Sequence, residues 1–192
     1  MSKDLMFQDA IKDAVRDAYG TIESGAGEVV ATRLYSEAEL SELPAGARDW
    51  ALGVGNPVRY AFLQPGEFVL DVGSGGGIDT ILAARRVGPA GKAIGLDIVD
   101  AMINRARANA AEAGVDGWTE FLHGEMEQIP LPDASVDVVI SNGVLNLSAR
   151  KSRALAEIFR VLRPGGRVSL ADLTVEGELP PEIASDQSAW AG

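Results

Sequence analysis

The sequence predicts an α/β domain on a doubly wound, mainly parallel sheet. Three observations predict it. From Phe68 onward, short apolar runs alternate with helix-length amphipathic stretches, which is the pattern of parallel strands joined by right-handed crossovers. The first run, "FVLDV", enters "GSGGG", a turn almost free of side chains. The second, "KAIGLDI", places an acid, Asp97, at its carboxyl end, the end beyond which ligands bind in such sheets.

Taken in order, the chain opens with Phe7, Ile11, Val15 and Tyr19, spaced every four residues among Asp and Lys. That spacing gives one apolar stripe of a helix, with Gly20 as its stop. "TIESGAGEVVATR" reads as a loop. "SEAELSEL" starts with Ser36 followed three residues later by Glu39, a capping box that opens a short helix. The Gly- and Pro-rich stretch from Pro44 to Glu67 reads as irregular. Then come the strand "FVLDV", a helix "IDTILAARRVG" closed by Gly88, and the strand "KAIGLDI". A helix "DAMINRARANAAEAG" follows, capped by Asp100 and ended by Gly114. The strands "TEFLHGE" and "VDVVISN", a helix "KSRALAEIFRVLRPGG" with a Pro-Gly-Gly stop, and a fifth strand "RVSLADL" complete the pattern.

Composition removes several function classes. A net charge of -11 argues against a general nucleic-acid binder, because neutralising phosphates needs a basic face. No apolar run approaches the roughly 20 residues of a membrane span, and the N-terminus lacks a leader's apolar core, so a cytoplasmic location is expected. There is no cysteine and one histidine, His123. Thiolate metal sites and thiol nucleophiles are excluded, no metal is expected, and His123 reads as a strand residue.

The glycine turn discriminates between cofactors. A dinucleotide fingerprint needs G-x-G-x-x-G. Counted from Gly73 the third glycine falls on Ile78, and counted from Gly75 it falls on Thr80. The spacing present is Asp71-x-Gly73-x-Gly75-x-Gly77, which resembles motif I of the class I S-adenosylmethionine methyltransferases. Asp97 stands where an acid accepts hydrogen bonds from both ribose hydroxyls of an adenosine. The resemblance extends through "HGEMEQIP" after the third strand, "DVVISNGVLNL" at the fourth and "VLRPGG" before the fifth. It implies a Rossmann-like class I methyltransferase fold with S-adenosyl-L-methionine as cofactor. The implied cofactor contacts are Asp71, Gly73, Ser74, Gly75 and Gly77 around the methionine portion, and Asp97, Ile98 and Met102 toward the ribose. Glu125 and the Met126 N–H fall to the adenine, and Asn142 at the junction with the acceptor. Ser141, Asn142 and Asn146 are candidates for the substrate side. Asn146 equally suits tying a loop to backbone, and Tyr19 suits either closing the site or packing on its apolar stripe.

Within that class the chain is most similar to the bacterial arsenite methyltransferases. The similarity runs through "VRDAYGTIESG", "YSEAELSELPAGA", "LGVGNPV", the motif I region and "SNGVLNLSARKSRALAEIFRVLRPGGRVSLADL", with "GELPPEI" beyond. The departures are specific. Val54 and Gly143 stand where that family carries cysteine, and "IESGAGEVV" lacks its N-terminal cysteines. Arsenic(III) is a soft centre that favours thiolate ligands, and this chain supplies none. The resemblance implies methyl transfer to arsenite or another small-molecule acceptor. Two alternatives remain at this point: a non-catalytic S-adenosylmethionine-binding module that needs a partner subunit, and a nicotinamide oxidoreductase, which the glycine spacing disfavours.

The expected organisation is an N-terminal helical and loop cap over residues 1–66, a cofactor-binding domain over 67–175, and a tail over 176–192. The tail has no strand pattern, so the sheet is expected to lack the last two strands of the class. A second copy or another polypeptide is then expected to cover the open edge of the fifth strand.

Overall fold

The computed structural model describes residues 3–21, 27–174 and 176–177, with side chains of the first helix described from 10 to 19. Five strands form one sheet in the order β3-β2-β1-β4-β5, and all four pairings are parallel. The strands are β1 (Phe68–Val72), β2 (Lys92–Asp97), β3 (Thr119–His123), β4 (Val136–Asn142) and β5 (Leu162–Ala171). This is the Rossmann-like arrangement that the alternating pattern predicts. The expected loss of two further strands falls on residues 178–192, outside the described residues.

Helices cover both faces. α1 (Lys3–Thr21), α2 (Gly27–Leu34), α3 (Glu37–Ser41), α4 (Ala45–Arg48) and α5 (Pro57–Tyr60) precede the sheet. α6 (Ile78–Val87) joins β1 to β2, α7 (Asp100–Glu112) joins β2 to β3, and α8 (Lys151–Val161) joins β4 to β5. β1 reads as apolar throughout because it is buried on both faces, with Val69, Leu70 and Val72 at most 1 % exposed. One core cluster unites Val69, Ile81, Leu82 and Val138 with Ala31, Tyr35, Ala47 and Val58 from α2 to α5. The other face packs Leu70, Val72, Leu96 and Val139 against Ile158 and Val161 of α8.

Several local expectations hold in detail. The Ser36 side chain accepts from Glu39 N, and the Glu39 carboxylate accepts from Ser36 N at 2.8 Å, so the capping box is complete. Gly88 closes α6 with a positive φ. Others are corrected. Residues 27–34 are helical rather than loop, because Ala31 and Tyr35 dock into the core. The "irregular" stretch contains α4 and α5, the latter started by the Asn56 side chain accepting from Arg59 N, with Pro57 in the first turn. Asp100 lies inside the first turn of α7; its N-cap is Val99, with no side-chain cap.

Pro164-Gly165-Gly166 does not stop α8. That helix ends at Val161, where Leu162 turns extended. The Pro-Gly-Gly stretch instead sits in a register shift of β5, where Val136 pairs with Leu162 and Val138 with Arg167. Proline and glycine are tolerated there because β5 has a neighbour on one side only among the described residues. β5 and α8 also leave Leu155, Phe159, Val168 and Leu170 exposed.

The register positions the site. Val72 pairs with both Leu96 and Ser141, so Gly73, Asp97 and Asn142 emerge together at one edge of the sheet. The strand order reverses between β1 and β4, and the crevice beyond that reversal is the place where such sheets take ligands.

Candidate functional site

A cavity opens at that crevice. It is lined by residues 73–76 of the glycine turn, the ends of β2 and β4, the segments following β3 and β4, Trp50, Leu52 and Gly53, and Lys12, Val15 and Tyr19 of α1.

The turn is held by its own backbone. Gly73 N and Ser74 N both donate to Leu96 O, at 2.7 and 3.0 Å, and Gly77 N donates to Ser74 O at 2.8 Å. Gly73 adopts φ +76°, and a Cβ there would meet the Val144 side chain at 2.4 Å. Gly75 adopts φ +50° and has open space where a Cβ would go. The two positions therefore separate in their effects. Both alanine variants are expected to lose about 1–2 kcal/mol through left-handed strain, and only Gly73→Ala loses more, by displacing Val144 from the cavity wall. Thermal melts of the Gly73→Ala and Gly75→Ala variants check this. A Gly73→Ala melt no lower than that of Gly75→Ala would count against the contact with Val144.

Asp97 joins the turn to the adjoining strand. Its Oδ2 accepts from Gly75 N at 2.8 Å and its Oδ1 from Val99 N at 2.9 Å. Burial pushes its carboxyl pKa up, and the backbone bonds from Val99 and Gly75 act against that shift. Ile98 and Met102 line the cavity beside it, and Met102 packs with Trp50 and Val99. Tyr19 reaches the same wall from α1, where burial and then the charge of Asp97 raise its phenol pKa.

At the far end, Glu125 and Met126 line the cavity, and Glu125 is already engaged. Lys12 Nζ donates to its carboxylate, and an Arg16 nitrogen lies 3.6 Å away. Lys12 is also 4.0 Å from Glu127, whose carboxylate accepts from Ser148 Oγ at 2.5 Å.

Four sequence candidates sit away from the cavity lining. Asp71 is 2 % exposed and accepts from Thr80 Oγ1 at 2.6 Å, so it anchors the turn from behind. Gly77 starts α6 in the left-handed region, close against Ala106 of α7. The Ser141 hydroxyl donates to Val72 O at 2.8 Å, inside the sheet. Asn146 ties its loop to Asp172 and Leu173.

Asn142 lines the cavity, yet its amide is spent on protein. Oδ1 accepts from Val54 N and Gly55 N, at 2.8 and 3.0 Å. Nδ2 donates to Gly55 O at 2.8 Å and Asp79 Oδ2 at 2.9 Å, and lies 3.2 Å from Tyr35 Oη. A Cβ at Gly143 would lie 3.5 Å from Val54 Cγ1. The two positions singled out as departures from cysteine are therefore neighbours.

Asp79 was missed by sequence reasoning, although it is written in the turn's own "GGGID". It lines the cavity at 4 % exposure. Its Oδ1 accepts from Tyr35 Oη at 2.9 Å. Burial pushes its carboxyl up to about 6, against the lowering bonds from Asn142 and Tyr35. Its available signal was an acid in the first turn of a helix. Lys12 and Trp50 carried no comparable signal.

The residues present suit an adenosyl cofactor. Gly75 leaves the turn open toward the crevice, and Asp97 offers a carboxylate on the cavity wall at the end of β2. Fold and site together define the class: a Rossmann-like domain of the S-adenosylmethionine-dependent methyltransferases. Residues 63–192 match the family described as Methyltransferase domain, and the chain belongs to that family.

Its relatives share parts of their length with it. An arsenite methyltransferase of Halobacterium salinarum is 43% identical over 158 residues, covering 82% of this chain and 40% of the relative. A ubiquinone/menaquinone biosynthesis C-methyltransferase, UbiE, of Marinomonas sp. is 35% identical, covering 68% of this chain and 53% of the relative. The crystal structure of an arsenic (III) S-adenosylmethionine methyltransferase from Chlamydomonas reinhardtii superposes with a TM-score of 0.70 at 37% identity, covering 77% of this chain and 52% of that one. The chain thus spans about half or less of the length of these relatives.

Among the described residues no group of His, Cys, Asp and Glu could hold a metal ion, and no helix is long and apolar enough to cross a membrane.

Proposed function

We propose that this chain transfers a methyl group from S-adenosylmethionine to a small acceptor of the arsenite type, in the cytoplasm. The observation that carries the reading is the Asp97 carboxylate, bonded to Gly75 N at 2.8 Å on the wall of a cavity at the strand-order reversal. The sulfonium cofactor supplies the electrophilic methyl group and its leaving group, so the protein's task is binding and orientation. In this reading Asp97 takes the ribose hydroxyls, flanked by Ile98 and Met102. Glu125 and the Met126 N–H take the adenine edge, with Lys12 yielding or sharing its carboxylate. Gly73, Ser74 and Gly75 border the methionine portion, while Asp71 and Gly77 hold the turn's shape. Tyr19, Trp50, Leu52, Gly143 and Val144 close the acceptor side and exclude water. Residues 1–66 serve as the cap, 67–175 as the cofactor domain and 176–192 as a tail.

No cysteine is present in the chain, so a trivalent arsenic acceptor has to arrive with thiol ligands of its own. The UbiE relatives and the apolar wall of Trp50, Leu52, Val144 and Leu147 favour a second reading, methylation at carbon of an aromatic acceptor.

Calorimetry followed by mass spectrometry separates these readings. The expected result is S-adenosylmethionine binding without NAD binding, then methylated arsenicals from arsenite with glutathione. Methylation of a demethylquinol alone would replace the first acceptor with the second. Binding without turnover on either acceptor would leave a cofactor-binding module, and absence of binding would sink the reading as a whole.

A further inference from the structure

Asp79 is a buried carboxylate with no cation paired to it among the described residues. It faces the cavity from the first turn of α6 and is 4 % exposed. The groups bonded to it are neutral: Tyr35 at the end of α2 and Asn142 at the end of β4. The other charges that face it are acidic: Glu39 on α3 acts on Asp79 directly, and Asp79 in turn acts on Asp71 of β1. Among the described residues no Lys or Arg forms an ion pair with it. Two neutral donors and the start of a helix offset part of the desolvation of an anion, but a buried charge is ordinarily matched by an opposite one. The open side of Asp79 is the cavity.

We propose that Asp79 is the anionic seat for the α-ammonium group of the cofactor's amino-acid portion. The acid that performs this task is thus the one after the glycines. Asp71, before them, is turned away from the cavity and bonded to Thr80. Tyr35 and Asn142 act as positioning residues that fix the Asp79 carboxylate. The elevated carboxyl pKa, about 6, is the expected state of such a seat while it is empty. A bound ammonium stabilises the ionised form, so binding at mildly acidic pH releases a proton. The inference rests on S-adenosylmethionine as the cofactor.

The test compares two ligands that share adenosine and differ in the amino acid. S-adenosylhomocysteine carries the ammonium and carboxylate; 5′-methylthioadenosine carries neither. Both affinities are measured by calorimetry on the wild type and on Asp79→Asn. The variant is expected to lose about tenfold or more toward S-adenosylhomocysteine, and to stay within about twofold toward methylthioadenosine. Equal losses for both ligands, or no loss for either, would overturn the assignment.

A second measurement needs no variant. In the wild type, the preference for S-adenosylhomocysteine over methylthioadenosine is expected to fall as pH drops from about 7.5 to about 5, as Asp79 protonates. Asp97 faces the part both ligands share, so its titration cancels in the ratio. A flat ratio overturns the proposal even where Asp79→Asn does not fold. If the wild type binds neither ligand at any pH, it is the cofactor reading that has failed, a result distinct from either of these.

Discussion

Asp97→Ala is expected to weaken S-adenosylmethionine binding by about a hundredfold, with the fold intact. A charge-assisted hydrogen bond contributes roughly 1.5–3 kcal/mol, and tenfold in affinity corresponds to about 1.4 kcal/mol. Two ribose bonds at the low end of that range give about a hundredfold. The structure adds an indirect loss. The same carboxylate accepts from Gly75 N and Val99 N, so alanine also frees the middle of the glycine turn and the residue that starts α7. Asp97→Asn keeps one acceptor oxygen and is expected to lose only about tenfold. Calorimetry on the three proteins, with circular dichroism to confirm folding, gives the answer. Alanine and wild type binding equally well would remove Asp97 from the site, and with it the observation on which the proposed function stands.

The second large effect is on stability. Asn142→Ala is expected to cost about 3 kcal/mol, because Val54 N, Gly55 N and Gly55 O lose their partner and a buried unsatisfied group costs about 1–3 kcal/mol. For a chain of this size that lowers Tm by about 6–12 °C. Asp79 also loses its bond to Asn142. Asn142→Asp should be no milder, since it places a second carboxylate against Asp79, while Asn142→Gln tests whether the amide alone suffices. A differential scan in which Asn142→Ala melts with the wild type would show that the segment 53–55 is held by something else.

Much of the fold was legible because each strand and helix announces itself locally. "FVLDV" and "VDVVISN" are strands at the boundaries read from sequence, since their apolar runs are bounded by an acid or a turn. The Ser36–Glu39 box was legible for the same reason: both partners lie within one turn. What escaped depends on distant partners. α2 is a short helix fixed by the docking of Ala31 and Tyr35 into a core shared with β1, which its own composition does not reveal. The Pro-Gly-Gly element reads as a helix stop until the register of β4 shows it as an irregularity within β5.

The site divides in the same way. Gly73, Ser74, Gly75, Asp97, Glu125 and Met126 were marked by their positions at strand ends, and all reach the cavity. Asp71 and Asp79 flank the same turn, and spacing alone does not say which carboxylate turns outward. That depends on Thr80, Tyr35 and Asn142, the last two far from the turn in sequence. Asn142 lines the cavity, but its amide is claimed by a loop 87 residues earlier in the chain. The Lys12 pairing with Glu125 joins residues 113 apart and left no trace in either local sequence.

The strand order carries a consequence for how the chain assembles. β1 lies in the middle of the sheet. One neighbour, β2, follows after a single helix; the other, β4, pairs at a separation of 69 residues, as Val69 with Val138. Closing the longer loop costs more chain entropy, and contacts of high sequence separation slow folding. The β1–α6–β2 unit, which contains the glycine turn and Asp97, can therefore form as a local nucleus. Asn142, the Val54–Gly55 segment and the Asp79 clamp wait for β4. The glycine turn and Asp97 are therefore expected to form before the wall that Asn142, the Val54–Gly55 segment and Asp79 complete.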